Sequence, residues 1–134
     1  MSEPDETTFP LREFLGFSVE RGEGRATVSL ELTEQHHNPN DVVFGAVPFA
    51  LMDTAMGAAV MSVVDEGKLC TTIEIHTRCH RAATTGTLST EAVVMTAGRR
   101  VIQLEARTID DQGRLVASST GSFAVIEPRP PTEG

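Results

Sequence analysis

Between residues 47 and 64 the chain reads VPFALMDTAMGAAVMSVV, and its only polar side chains are Asp53, Thr54 and Ser62. Small residues (Ala50, Ala55, Gly57, Ala58, Ala59) alternate with large ones (Phe49, Leu51, Met52, Met56, Met61). A helix that is apolar nearly all round is a buried helix, and this one is too short and interrupted to span a bilayer comfortably. Pro48 suits its first turn, where a missing N–H costs nothing. The rest of the chain must therefore be built around this helix. Asp53 falls in the second turn, and an unpaired carboxylate there is expensive, so it is either held by hydrogen bonds or put to work. Asp65-Glu66-Gly67 closes the segment, with Gly67 suited to a left-handed cap.

After residue 67 the period changes from helical to two. Residues 70–80 place Ile73, Ile75, Thr77 and Cys79 on one side and Thr72, Glu74, His76, Arg78 and His80 on the other. Segments 87–96, 100–109 and 114–126 follow, rich in Val, Ile and Thr, and punctuated by Gly86, Ala97-Gly98 and Asp110-Asp111-Gln112-Gly113. The last of these is a hairpin signal. Ahead of the helix, residues 10–15 suit one helical turn. Residues 17–21 and 25–32 read as a hairpin about Gly22 and Gly24, with Ala26, Val28, Leu30 and Leu32 on its inner side. The expectation is an α+β fold: a hairpin, one long buried helix, then about four strands in a meander, giving a sheet of about six strands curled around the helix. One helix covers only one sheet face. The other face, with its Thr, Ile and Val, and the edges then call for partners, so oligomerisation is expected.

The 134 residues suit a single domain, 1–134, with 1–8 and 127–134 as disordered tails. A formal charge of −8 argues against nucleic acid and anionic membranes as partners. The acidic start lacks the apolar core of a secretion signal. Cys70 and Cys79, nine apart in one strand, are expected on opposite faces and unable to bridge, which fits a reduced, cytoplasmic setting.

Several segments together resemble the hotdog-fold acyl-CoA thioesterases, in the branch of the phenylacetyl-CoA and 4-hydroxybenzoyl-CoA enzymes. The likeness covers residues 14–126. The pattern is an Asn or Gln, a short loop, His-Gly-Gly, then an acid inside the helix. Here Asn38 precedes Asp53 by fifteen positions, and Phe44-Gly45-Ala46 takes the His-Gly-Gly place. TTIEIHTRCHRAA (71–83), AGRRV (97–101) and GRLVASSTGSFAV (113–125) resemble the family's later strands and hairpins, with Ala82 in place of a proline. Phe44 replaces the usual His and Ala46 the second glycine, which bears on the substrate that these two residues would contact.

The resemblance implies hydrolysis of acyl-CoA thioesters with no cofactor beyond the coenzyme A of the substrate. It implies that the Gly45 N–H and the Asn38 side chain hold the carbonyl oxygen. Asp53 acts as general base or nucleophile, and Thr72 orients the water. It implies a site shared between two chains of a homodimer or a dimer of dimers, and Arg99 and Arg100 at the phosphates of coenzyme A.

Other readings stand beside this one. Asp53 alone could be a structural acceptor, Asn38 a loop cap, Thr72 a plain strand residue, and Arg99-Arg100 a solvated turn. A hotdog dehydratase or hydratase places a loop His fourteen positions before the helix acid. That position is Pro39 here, and His37 lies sixteen away. A non-catalytic acyl-CoA binder is the third reading, supported by Phe44 and Ala46. The four histidines show no paired-ligand spacing for zinc, and no metal is expected.

Overall fold

The helix forms as α2, Ala46–Met61, in a computed structural model that describes residues 9–128. The expected tail at 1–8, and all of the one at 127–134 except Glu127 and Pro128, lie outside the described residues. Leu51, Met52, Ala55, Met56, Ala59 and Val60 of α2 are fully buried. The burial is not all round, however. Phe49, Asp53, Gly57 and Met61, four residues apart and therefore on one face, form a stripe that the chain leaves open or half-buried. The helix also ends earlier than the glycine suggested. Ser62 caps it, donating from Oγ to the Ala59 carbonyl (2.7 Å) and accepting the Gly24 N–H (2.8 Å). Gly67, at φ 88°, serves the turn into the next strand, where the Lys68 N–H donates to Asp65 O.

Six antiparallel strands surround it: β1 (Ser18–Gly22), β2 (Arg25–Glu31), β3 (Leu69–Cys79), β4 (Thr87–Ala97), β5 (Val101–Ile109) and β6 (Leu115–Ile126). A short helix, α1 (Pro10–Leu15), precedes them. The sheet order is β1-β2-β4-β5-β6-β3. The expected four-strand meander is therefore corrected: β4, β5 and β6 form one, but β3 lies at the far edge, paired with β6 and not with β4. The β3–β4 link carries no tight-turn dipeptide. It runs as a strap over the start of α2. His80 N–H donates to Val116 O on β6, Ala83 O accepts from Val43 N–H, and Gly86 O accepts from Leu32 N–H just after β2.

Alternation makes the inner face. Val28, Leu30, Leu88, Ala92, Ile102, Leu104, Ala106 and Phe123 close on the helix. Thr90 and Thr108 are buried among them and satisfy each other at 2.6 Å. The outer face differs from expectation. Glu74, His76, Arg78, Glu91, Glu105, Arg107 and Thr120 are exposed there.

A second correction concerns β3. Its register against β6 shifts between Thr72 and Glu74, a bulge that breaks strict alternation. Thr72 thus faces the helix, as Ile75 does, although the sequence pattern separates them. Cys70 and Cys79 consequently share the helix side, both as free thiols, about 30 Å apart along the strand.

His36 is buried. Its Nδ1 accepts the Thr33 N–H (2.9 Å) and its Nε2 donates to Leu15 O (2.7 Å), tying the loop before α2 to the end of α1.

Candidate active site

Asp53 stands on the open stripe of α2, where the two outermost strands of the curled sheet approach each other. From β3, Thr72 Oγ1 donates to Asp53 Oδ1 at 2.8 Å. From β1, Val19 and Arg21 border the same place. They join Phe9 and Arg12 at the N-terminal side, and Asp53, Thr54 and Ala58 of α2, in a groove of about 480 Å³. Cys70 lies within this seam, its Sγ 4.0 Å from Gly57 O. Burial pushes its thiol pKa up, the Asp53 charge pushes it further, and the Arg21 charge opposes them. Asp53 and Arg21 thus act on the Cys70 thiol with opposite sign.

The start of α2 has another character. Gly45 is its N-cap, and the Gly45 and Ala46 N–H groups have no partner among the described residues, as helix geometry dictates for first-turn donors. No heavy atom outside its chain neighbours lies within 4 Å of where a Gly45 side chain would project. Positive dipole and free donors therefore meet open space. A groove of about 350 Å³ runs alongside, bordered by Val43, Pro48, His80 and Ala82. Phe44 (56 % exposed) and Ala46 flank the opening.

Asn38 belongs to the loop leading there. Its Oδ1 accepts the N–H of Asn40 (2.8 Å) and of Val42 (3.5 Å), and Asp41 takes a left-handed φ of 65° to close the turn. The loop-cap reading of its oxygen is therefore correct. Its amide NH2, the donor an oxyanion needs, is not engaged by that turn.

The structure brings Thr72 to Asp53 but does not bring Asp53 to Gly45. Eight residues separate those two on one helix, about 12 Å at 1.5 Å per residue. Arg99 and Arg100 are exposed in the β4–β5 turn at the opposite end of α2. There Arg99 borders a small hollow of about 150 Å³ with Val63, Asp65 and Lys68. Sequence reasoning missed Arg21 and Lys68. The available signal for Arg21 was its parity: it shares the side of Val19, opposite Ala26 of the core.

A long central helix wrapped by a six-stranded antiparallel sheet is the hotdog fold, and its carboxylate, held by a hydroxyl from the sheet edge, and its open N-terminal donors are the candidate site. The chain belongs to the thioesterase superfamily, whose profile matches residues 40–117. That span holds Gly45, Asp53, Thr72, Arg99 and Arg100 and starts just after Asn38. The reaction class is thioester hydrolysis.

Among solved structures, the conserved protein PA5202 of Pseudomonas aeruginosa is 29% identical, with a TM-score of 0.86 over 93% of this chain and 100% of that one. The PaaI protein of the phenylacetic acid degradation operon of E. coli is 24% identical, with a TM-score of 0.83 over 90% and 87%. The thioesterase HI1161 of Haemophilus influenzae is 21% identical, with a TM-score of 0.83 over 87% and 82%. The last two establish likeness of fold. No curated protein sequence matches significantly. Among the described residues no helix is long and apolar enough to cross a membrane.

Proposed function

We propose that the chain hydrolyses acyl-CoA thioesters at a site shared by two copies. The observation that carries this reading is the separation of about 12 Å between Gly45 and Asp53 on one helix. A thioester carbon cannot lie within reach of both, so the donor end of one chain must meet the carboxylate of another. The open stripe of α2 and the unpaired edge of β3, with Leu69 and Ile73 exposed, support such a pairing. The outer sheet face, with Glu and Arg interspersed, suits a further pairing of dimers into a tetramer.

In that site the Gly45 N–H and the Asn38 amide hold the carbonyl oxygen and stabilise the charge that develops on it. Asp53 either takes the proton of an attacking water or attacks the carbon itself, forming an anhydride that water then opens. The C–S bond breaks, and coenzyme A leaves as its thiolate. Thr72 holds Asp53 in place in both routes. Phe44 and Ala46 border the substrate entrance. Arg99 and Arg100 suit the phosphates of coenzyme A, and Lys68, ion-paired to Glu127, borders the same hollow as Arg99. The chemistry needs no further cofactor, and the two free thiols fit a cytoplasmic setting.

The test is Asp53→Asn, nearly the same shape without the reactive oxygen. The kcat of thiol release over a panel of acyl-CoA thioesters should fall by at least about 10² while substrate still binds. Light scattering should give a mass of at least two chains. A folded variant at the wild-type rate would refute the role of Asp53, and a monomer in solution would refute the shared site. Wild type that binds acyl-CoA without releasing thiol would be a binder. One that interconverts enoyl and 3-hydroxyacyl thioesters would be a hydratase.

A further inference from the structure

Arg21 interrupts the apolar pattern of its own strand. On β1 it shares a side with Val19, and its neighbour across the ladder is Ala26, which is buried in the core as Val28 is. The guanidinium on that side stands over α2, in the groove with Asp53, Thr54 and Ala58 that Phe9 and Val19 wall off. The ion pairs among the described residues do not include it. Its field nevertheless crosses the seam, since it is one of the charges acting on Cys70 of β3. In a chain with 11 Lys and Arg against 19 Asp and Glu, a cation beside the working carboxylate is not background.

We propose that this groove receives the acyl part of the thioester, and that Arg21 selects acyl groups ending in a carboxylate, that is, ω-carboxyacyl thioesters. The inference rests on the hydrolytic reading above. If Asp53 fixes where the reacting carbonyl lies, the groove beside it holds whatever is joined directly to that carbonyl. Ala58 is five residues beyond Asp53, about 7.5 Å along the axis, a length that suits a chain of a few carbons. The phosphates of coenzyme A are held off by the whole pantetheine arm and cannot reach Arg21 while the carbonyl stands at Asp53. The anion that meets Arg21 must therefore arrive with the acyl group. Phe9, Val19 and Ala58 cover its methylenes, and the guanidinium fork matches a carboxylate with two parallel hydrogen bonds. Arg12 lines the same groove.

An inward charge on an edge strand also discourages edge-to-edge association. Lysine serves that purpose equally but lacks the fork, so Arg21→Lys separates the two roles. The experiment is steady-state thiol release from succinyl-CoA and glutaryl-CoA against butyryl-CoA and pentanoyl-CoA, for wild type, Arg21→Lys and Arg21→Met. Wild type should favour the carboxylated substrates in kcat/KM by at least about tenfold, the scale of a charge-assisted pair. Arg21→Met should abolish that preference, chiefly through a raised KM for the two carboxylated substrates. Arg21→Lys should fall between. Hydrolysis of the uncharged substrates with equal or better kcat/KM by wild type, or a preference unchanged in Arg21→Met, overturns the inference alone. Thiol release from other thioesters but from none of these four also overturns the inference alone, whereas thiol release from no thioester overturns the hydrolytic reading and the inference together.

Discussion

Replacing Thr72 by valine removes one hydroxyl and keeps the β-branched shape that a strand favours. In the structure that hydroxyl donates to Asp53 Oδ1 at 2.8 Å. Hydrogen bonds to charged groups contribute about 1.5–3 kcal/mol. Thr72 is exposed, so water can take its place, and the lower end applies. About 1.5 kcal/mol of lost positioning corresponds to roughly tenfold in rate. The kcat of thiol release should therefore drop about tenfold in Thr72→Val, with KM changed by less than about twofold, because the carbonyl is held elsewhere. Thr72→Ser should restore most of the rate. In an Asp53→Asn background the same change should cost little more, since the hydroxyl acts through the carboxylate. A purely structural Thr72 would instead lower the melting temperature and leave this coupling absent. Wild-type kcat in Thr72→Val, or an equal loss in both backgrounds, would refute the reasoning.

Removing Arg99 and Arg100 together should raise KM for acyl-CoA substrates more than it lowers kcat, and the difference should shrink at high salt; steady-state kinetics at two ionic strengths read both. Gly121→Ala should destabilise the fold by about 1–3 kcal/mol, visible in denaturant melts, because the new Cβ would stand 2.8 Å from Met56 Sδ and 3.1 Å from Ile75 Cγ1. Asp110→Asn should lower the melting temperature at neutral pH. The Asp110 carboxyl accepts the N–H groups of Arg114 and Gln112 and the Arg114 guanidinium, and the Arg114 backbone bond leads in holding its pKa below 3.8. A lowered folded pKa means the stabilisation is complete above the unfolded value and is lost as pH falls through the folded one. The gap between variant and wild type should therefore close in acid.

The central helix was legible because eighteen consecutive residues carry so few polar groups, and β5 and the β5–β6 turn because alternation and the Asp-Asp-Gln-Gly run are local signals. What failed was non-local. The place of β3 beyond β6 depends on where the chain re-enters the sheet after α2, and no residue within 69–79 encodes its neighbour. The bulge between Thr72 and Glu74 appears only in the pairing of β3 with β6, a partner distant in sequence, so strict alternation misplaced Thr72 relative to Ile75. Ser62 ended the helix ahead of Gly67 because it also serves the Gly24 N–H, again a partner distant in sequence. At the site, Asp53 was conspicuous as a lone charge. Arg21 was not, because one arginine in a short strand next to two glycines reads as surface until the partner strand fixes its side.

The same geometry gives the proposed association a physical motive. Along α2 the positions left half-buried or exposed include Phe49, Asp53, Gly57 and Met61 on one face with Ala50 and Thr54 beside it, and Asp53 and Thr54 border the groove next to β1. A single chain thus leaves Phe49 and Ile73 partly in water and holds its carboxylate about two helical turns from its own open donors. On the two-copy reading, one event answers both conditions. Burying the exposed Phe49, Leu69 and Ile73 supplies the apolar driving force, and an antiparallel approach of two helices sets the Gly45 end of each against the Asp53 region of the other. Weakening the contact should therefore lower activity and mass together. Ile73→Glu on the exposed edge of β3, next in the chain to Thr72 but with its own side chain in water, should shift the protein toward monomer and reduce kcat/KM in proportion to the dimer lost. Activity should then recover as protein concentration rises. A monomeric Ile73→Glu variant that keeps full specific activity at nanomolar concentration would show that one chain suffices, and the separation of Gly45 from Asp53 would then need a different explanation.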